Sequence, residues 1–159
     1  MSLPIEPLLP AIRFDERGLV TVIAQDAGTG VVRMVAWANV EALQATATTT
    51  LATFWSRSRG QLWRKGETSG HGLAVREIRI DCDGDAVLYV CDADGPSCHT
   101  GRTSCFYRLG TSDGAVVEDD GPGEVPAAVL ARVANVIKQR RASTGEKSYV
   151  KSLLDAGFP

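Results

Sequence analysis

Leu73-Ala-Val-Arg-Glu-Ile-Arg-Ile80, Asp81-Cys-Asp-Gly-Asp85 and Ala86-Val-Leu-Tyr-Val-Cys91 follow one another without a break, and this stretch decides the fold. In the first block Ala74, Arg76, Ile78 and Ile80 alternate with Leu73, Val75, Glu77 and Arg79, the period of two that marks a strand. The third block is continuously apolar and fits a central strand. Between them, aspartates alternate around a cysteine. Extended backbone through this segment puts Asp81, Asp83 and Asp85 on one face and Cys82 on the other. One short strand then serves two metals of different character, because oxygens suit Mg²⁺ and thiolates suit Zn²⁺.

Upstream, Leu19 to Gln25 and Val31 to Trp37 are β-branched apolar runs flanking Asp26-Ala-Gly-Thr-Gly30, which predicts a β-hairpin. Asn39 is placed to cap a helix running through Leu43 and Ala47 into threonines 48–50. Thr53 to Arg57 and Leu62 to Arg64 read as strands, and the glycine-rich 65–72 as a loop. Downstream, Asp92 to Thr103 reads as a loop and Cys105 to Leu109 as a final strand. Residues 1–11, with three prolines, read as an extended lead-in.

Residues 111–125 read as a linker. Beyond it, Pro126 suits a first helical turn, and Val129, Leu130, Val133, Val136 and Ile137 keep a helical period. A second short helix is predicted from Glu146 to Ala156, stopped by Gly157. The expectation is an α+β, strand-rich domain over 1–110 and a short helical extension over 126–159.

At 159 residues, 44% hydrophobic, the chain has enough apolar material for one real core. A net charge of −2 argues against a nucleic-acid surface. No apolar run of about 18 residues suggests a membrane span, and the first residues lack the pattern of a signal peptide. A cytoplasmic location is expected, where four cysteines read as thiols or metal ligands rather than disulfides.

Cys82, Cys98 and Cys105 do not have the paired spacing of zinc fingers or ribbons. Three thiolates leave a fourth zinc position open, as a catalytic site requires, and there bound water has a pKa of about 7. A purely structural zinc uses the same residue types. His99 is suited to be a fourth ligand or a proton carrier. Cys91, inside an apolar run, reads as a core thiol. The aspartates are not an EF-hand, since Ala86 and Asp92 stand where glycine and glutamate are needed. A solvated acidic turn is their bland alternative.

A second cluster comprises Trp55, Arg57, Arg59, Lys65, Thr68, Ser69 and His71. Guanidinium forks and small hydroxyls among glycines bind phosphate, and tryptophans stack on heteroaromatic rings. A solvated basic hairpin with core tryptophans has the same composition.

Taken in order, Met34-Val-Ala-Trp-Ala-Asn39, Glu41-Ala-Leu43, Trp55-Ser-Arg-Ser-Arg59, Leu62-Trp-Arg-Lys-Gly-Glu-Thr-Ser-Gly-His71, Asp81-Cys-Asp-Gly-Asp85, Cys98-His-Thr-Gly101 and Ser104-Cys-Phe106 resemble the phosphoribosyl-AMP cyclohydrolase family of histidine biosynthesis. The resemblance covers roughly residues 12–109. It implies hydrolytic opening of the substrate's adenine ring at N1–C6 by zinc-activated water, in the third step of that pathway. It also implies an intertwined homodimer in which Cys82 of one chain joins Cys98 and Cys105 of the other around zinc. Asp81, Asp83 and Asp85 then match magnesium ligands, and His99 or His71 carries the proton. Arg57, Arg59, Lys65 and Arg102 become candidates for holding the two phosphates. The rivals are a module whose zinc only staples a dimer and a zinc deaminase. The deaminase lacks its His-x-Glu and Pro-Cys-x-x-Cys blocks here.

Residues 128–159 resemble the opening of phosphoribosyl-ATP pyrophosphohydrolase, a domain fused after the cyclohydrolase in many bacteria. Glu146 is the only acidic residue between Glu124 and Asp155, so no carboxylate cluster for that second activity is present and none is expected from these residues. This suggests a fragment of a bifunctional protein.

Overall fold

The computed structural model describes residues 2–118 and four helical positions, 133, 134, 136 and 137. The second predicted helix, Glu146 to Ala156, and most of the linker and tail lie outside the described residues.

The predicted hairpin forms from β1 (Val20–Asp26) and β2 (Val32–Ala38), antiparallel with Val20 opposite Ala38. Asp26 makes its turn. One carboxylate oxygen accepts the backbone N–H groups of Gly28 and Thr29 at 3.0 and 2.8 Å and the Thr29 hydroxyl at 2.9 Å. Helix α1 (Val40–Thr49) follows at once, with the Asn39 side chain accepting from the Ala42 N–H at 2.9 Å. Thr46, Thr48 and Thr49 return their hydroxyls to carbonyls four residues back, so threonines tolerate this helical end. Thr50 closes it in the left-handed region, at φ 59°.

Strands β3 (Thr53–Ser56) and β4 (Gln61–Arg64) pair antiparallel, as do β5 (Leu73–Ile80) and β6 (Ala86–Ala93). Six strands make one sheet in the order β4-β3-β2-β1-β6-β5, in which only β1 and β6 run parallel. Strand β6 is interior, as its apolar run predicts. On β5 the register shifts between Val75 and Glu77. That bulge resets the alternation, so Leu73 and Val75 are buried while Ile78 and Ile80 also pack against the core.

The core gathers Val20, Val22 and Ala24 of β1, Leu43 of α1, Phe54, and Val87, Tyr89 and Cys91 of β6. Phe54 sits between Trp63 and Tyr89, with ring centroids 4.9 and 5.8 Å away. The buried Tyr89 hydroxyl donates to Thr46 Oγ1 at 3.2 Å, so this polar tip is satisfied.

Three expectations need correction. The proline-rich start is a turn leading into a 3₁₀ turn (Leu9–Ala11), with Ile5 buried and the Leu3 N–H bonded to the Ala47 carbonyl at 2.8 Å. Prolines fix φ but permit such turns. Cys105 lies in irregular chain, and the last strands among the described residues are β7 (Arg108–Gly110) and β8 (Val116–Glu118), a separate two-stranded ribbon. That ribbon includes part of the expected linker, because Thr111 and Asp113 build a turn where composition alone suggests a spacer. The third correction concerns the aspartates.

Candidate metal and substrate site

Strand β5 ends at Ile80 and β6 begins at Ala86, so residues 81–85 are a turn, not a strand. Asp81 builds it: one carboxylate oxygen accepts the N–H groups of Gly84 and Ala86 at 3.0 and 3.1 Å. Gly84 takes φ +84°, and an added Cβ would sit 2.2 Å from the Ala11 carbonyl oxygen, so only glycine fits. The curl still gathers the three carboxylates, whose candidate ligand oxygens lie within 4.8 Å of one another. The ligands meet because the chain turns, rather than through strand alternation.

Electrostatics within the turn follow from this crowding. Hydrogen bonds to Asp81, led by the Ala86 N–H, lower its pKa below the usual carboxylate value. The charge of Asp83, with further contributions from Asp81, raises that of Asp85. Three exposed carboxylates repelling one another are a donor set that a hard divalent cation relieves.

Strand β6 separates this turn from the loop carrying Cys98 and Cys105. Its eight residues span about 26 Å at ~3.3 Å per residue. Cys82 belongs to the turn and is exposed. One chain therefore cannot bring Cys82 to the other two cysteines around a single ion. Among the described residues the aspartates are the one group of three potential metal ligands, and it contains no cysteine.

Cys98 and Cys105 are neighbours. Desolvation opposes charge on Cys98, but hydrogen bonds from Thr100, from the Cys105 thiol and from the His99 backbone outweigh it and lower its pKa. The Thr100 hydroxyl donates to Cys98 Sγ at 3.1 Å. Desolvation, then the adjacent Cys98 charge, pushes Cys105 up to about 11. The two sulfurs thus sit side by side with their pKa values pushed apart, and adjacent sulfurs are a donor set suited to a soft ion. His99 Nδ1 lies 3.9 Å from Cys98 Sγ.

Cys98, His99 and Cys105 line an open cleft of about 430 Å³ with Met34, Trp63, Lys65, Ser69 and His71. Four residues expected from two separate sequence clusters thus share one wall with the thiols. His71 Nδ1 donates to the Asp94 carbonyl at 3.1 Å. A carbonyl only accepts, so this bond fixes the tautomer and leaves Nε2 to take a proton. Gly95, at φ +82°, packs under the imidazole: an added Cβ would lie 2.4 Å from Nδ1.

A second cleft of about 490 Å³ shares Met34 and Trp63 with the first. It is lined by Trp37, Trp55, Ser56, Arg57, Ser58 and Arg59. Arg57 stacks on Trp37, its guanidinium carbon 3.3 Å from the ring centroid. Arg59 bonds Ser56 Oγ at 3.3 Å, and the β3–β4 turn holds both.

Thr68 and Arg102 are not among the described residues lining either cleft. Arg102 reaches Glu118 at 3.0 Å and lies over the Tyr107 ring. Residues the sequence reading passed over are Trp37 and Arg33. The signal for Arg33 was available: a lone arginine inside the apolar run Val31 to Trp37.

Residues 34–107 match the family model for phosphoribosyl-AMP cyclohydrolase. The chain is 57% identical over 103 residues to the phosphoribosyl-AMP cyclohydrolase of Micrococcus luteus, covering 65% of this chain and 82% of that protein. With that of Hyphomonas neptunium it shares 65% identity over 96 residues, 60% of this chain and 73% of that protein. With the histidine biosynthesis bifunctional protein of Thermus thermophilus it shares 49% over 151 residues, 94% of this chain and 66% of that protein.

Proposed function

This chain belongs to the phosphoribosyl-AMP cyclohydrolase family, and from that premise we propose that it opens the adenine ring of phosphoribosyl-AMP at N1–C6, in the third step of histidine biosynthesis. The observation that carries the reading is the cleft in which two thiols, two histidines, a lysine and Trp63 converge. Its two thiols fit zinc, and the family resemblance supplies the third thiolate from Cys82 of the partner subunit in a homodimer, a reading supported by the length of β6 that keeps Cys82 away from the other two cysteines within one chain. Zinc held there supplies a water whose pKa falls to about 7.

The chain's own residues do the rest. Trp63 and Trp55 offer faces for the heterocycle and the ribose edges. Lys65 and Ser69 hold one phosphate and Arg57 and Arg59 the other, so the two-armed substrate lies along adjoining clefts. Breaking N1–C6 without expelling an amine requires a proton at N1. His71, its Nε2 left open by the Asp94 bond, or His99 delivers it. Asp81, Asp83 and Asp85 would hold Mg²⁺, a role supported by the clustering of their carboxylate oxygens within 4.8 Å.

The domain boundaries belong to the same proposal: cyclohydrolase over 1–110, a connecting segment over 111–125 whose first part forms the turn and β8 of the ribbon, and over 126–159 the kin of the second domain of bifunctional relatives. Alignment with the Thermus thermophilus protein, at 151 residues, runs well past the 103 shared with that of Micrococcus luteus. No described helix is long and apolar enough to cross a membrane.

The test is direct. Zinc-loaded protein with Mg²⁺ should convert phosphoribosyl-AMP with the ultraviolet change of purine to imidazole, release no ammonia, and stop on chelation. A folded, zinc-replete dimer without turnover overturns the reading in favour of a structural zinc. Ammonia release points to a deaminase.

A further inference from the structure

Arg33 is charged yet only 7% exposed, and its described side-chain partners are two residues of the cysteine loop and Asp26. Its Nε donates to the buried Ser97 Oγ at 3.0 Å, and its Nη2 donates to the Gly95 carbonyl. Its Nη1 lies 3.9 Å from Asp26 Oδ2, the oxygen of Asp26 not used in the β1–β2 turn. Its backbone carbonyl accepts the Cys105 N–H at 2.9 Å, and the preceding Val32 carbonyl accepts the Ser104 hydroxyl at 2.7 Å.

One strand position therefore holds both limbs of the loop. The side chain holds the limb at Gly95 and Ser97, next to Cys98. The backbone holds the limb at Cys105. The same grip extends to His71, because Gly95 packs beneath that imidazole and the neighbouring Asp94 carbonyl fixes its Nδ1. A planar guanidinium can bond two acceptors on one limb while facing a carboxylate; an ammonium has no such fork.

We infer that Arg33, braced by Asp26, is a positioning residue that sets the separation of Cys98 and Cys105 and the seat of His71. The inference rests on the zinc cleft proposed above. It predicts that loss of the side chain weakens metal binding more than it weakens the fold, because the Cys105 limb keeps its backbone bonds while the Cys98 limb is released.

The experiment measures zinc affinity by chelator competition on the full chain, alongside the thermal midpoint, kcat and KM. Folded Arg33→Met should bind zinc about 10–100-fold more weakly, the range seen when a residue supporting metal ligands is removed. Its kcat should fall with little change in KM, and Arg33→Lys should recover only part of the affinity. Ser97→Ala, which deletes one acceptor and leaves the ion pair intact, should shift zinc affinity in the same direction by a few-fold, and it decides the matter if Arg33→Met does not fold. Wild-type zinc affinity and kcat in folded Arg33→Met, or in Ser97→Ala where that variant decides, overturn the inference even if the wild-type enzyme opens phosphoribosyl-AMP. Weakened zinc binding in these variants of a protein that shows no turnover sustains it while overturning the cyclohydrolase reading.

Discussion

The aspartate turn and the cysteine loop stand at opposite ends of β6 and gather their ligands by different physics. In the turn, three carboxylates two residues apart are brought together by bonds that Asp81 makes within five residues of itself, plus one glycine pressed against the Ala11 carbonyl. In the loop, Cys98 and Cys105 are brought together by bonds to β2, more than sixty residues upstream in sequence. The turn is complete in one chain. The loop brings together two of the three thiolates of the proposed zinc site. A metal centre made of local contacts tolerates changes elsewhere; one made of distant contacts reports on the whole sheet.

The largest expected effect comes from separating the cysteines genetically. Cys82→Ser and Cys105→Ser homodimers should each lose more than about 100-fold in activity, beyond the usual cost of disturbing residues that merely support metal ligands. Subunit exchange between them should restore about one of the two sites in each heterodimer. Verified heterodimers that stay inactive would place each zinc within one chain and collapse the contrast between the two ends of β6.

A smaller effect is expected at Gly95. Gly95→Ala demands a left-handed backbone from alanine and drives Cβ into His71. It should cost about 1–3 kcal/mol of stability. Its kcat should also drop while zinc content holds, read by calorimetry, metal analysis and turnover together. Unchanged kcat in this variant would assign proton delivery to His99.

The smallest effect tests the turn. Asp83→Asn removes the charge that raises the Asp85 pKa, so Asp85 should titrate at lower pH in the metal-free protein, followed by NMR. Mg²⁺ affinity should weaken, while zinc affinity at the far end of β6 stays as it was. Zinc binding that moves with this substitution would show that the two centres are coupled.

How much of this could be read beforehand follows the same division. Strand β5 was legible to the residue, and the β1–β2 hairpin, the Asn39 cap and β6 were legible to within two, because period, turn chemistry and capping act over a few residues. The aspartates were legible as a cluster but not as a turn, since alternation describes a strand and a curl equally well until Gly84 is seen at φ +84°. The aromatic and apolar residues at 105–109 resemble a strand, whereas the bonds of Ser104 and Cys105 to β2 hold Cys105 in irregular chain.

The ordered motif blocks therefore carried the chain to its family and named its candidate ligands, because those signals sit in short, contiguous stretches. They could not say that β6 stands between Cys82 and its fellow cysteines, that Lys65 and His71 share a wall with Cys98, or that Arg33 grips the loop from beneath. Each of those facts is a distance between residues far apart along the chain, and such distances exist only once the sheet has paired and the core has closed.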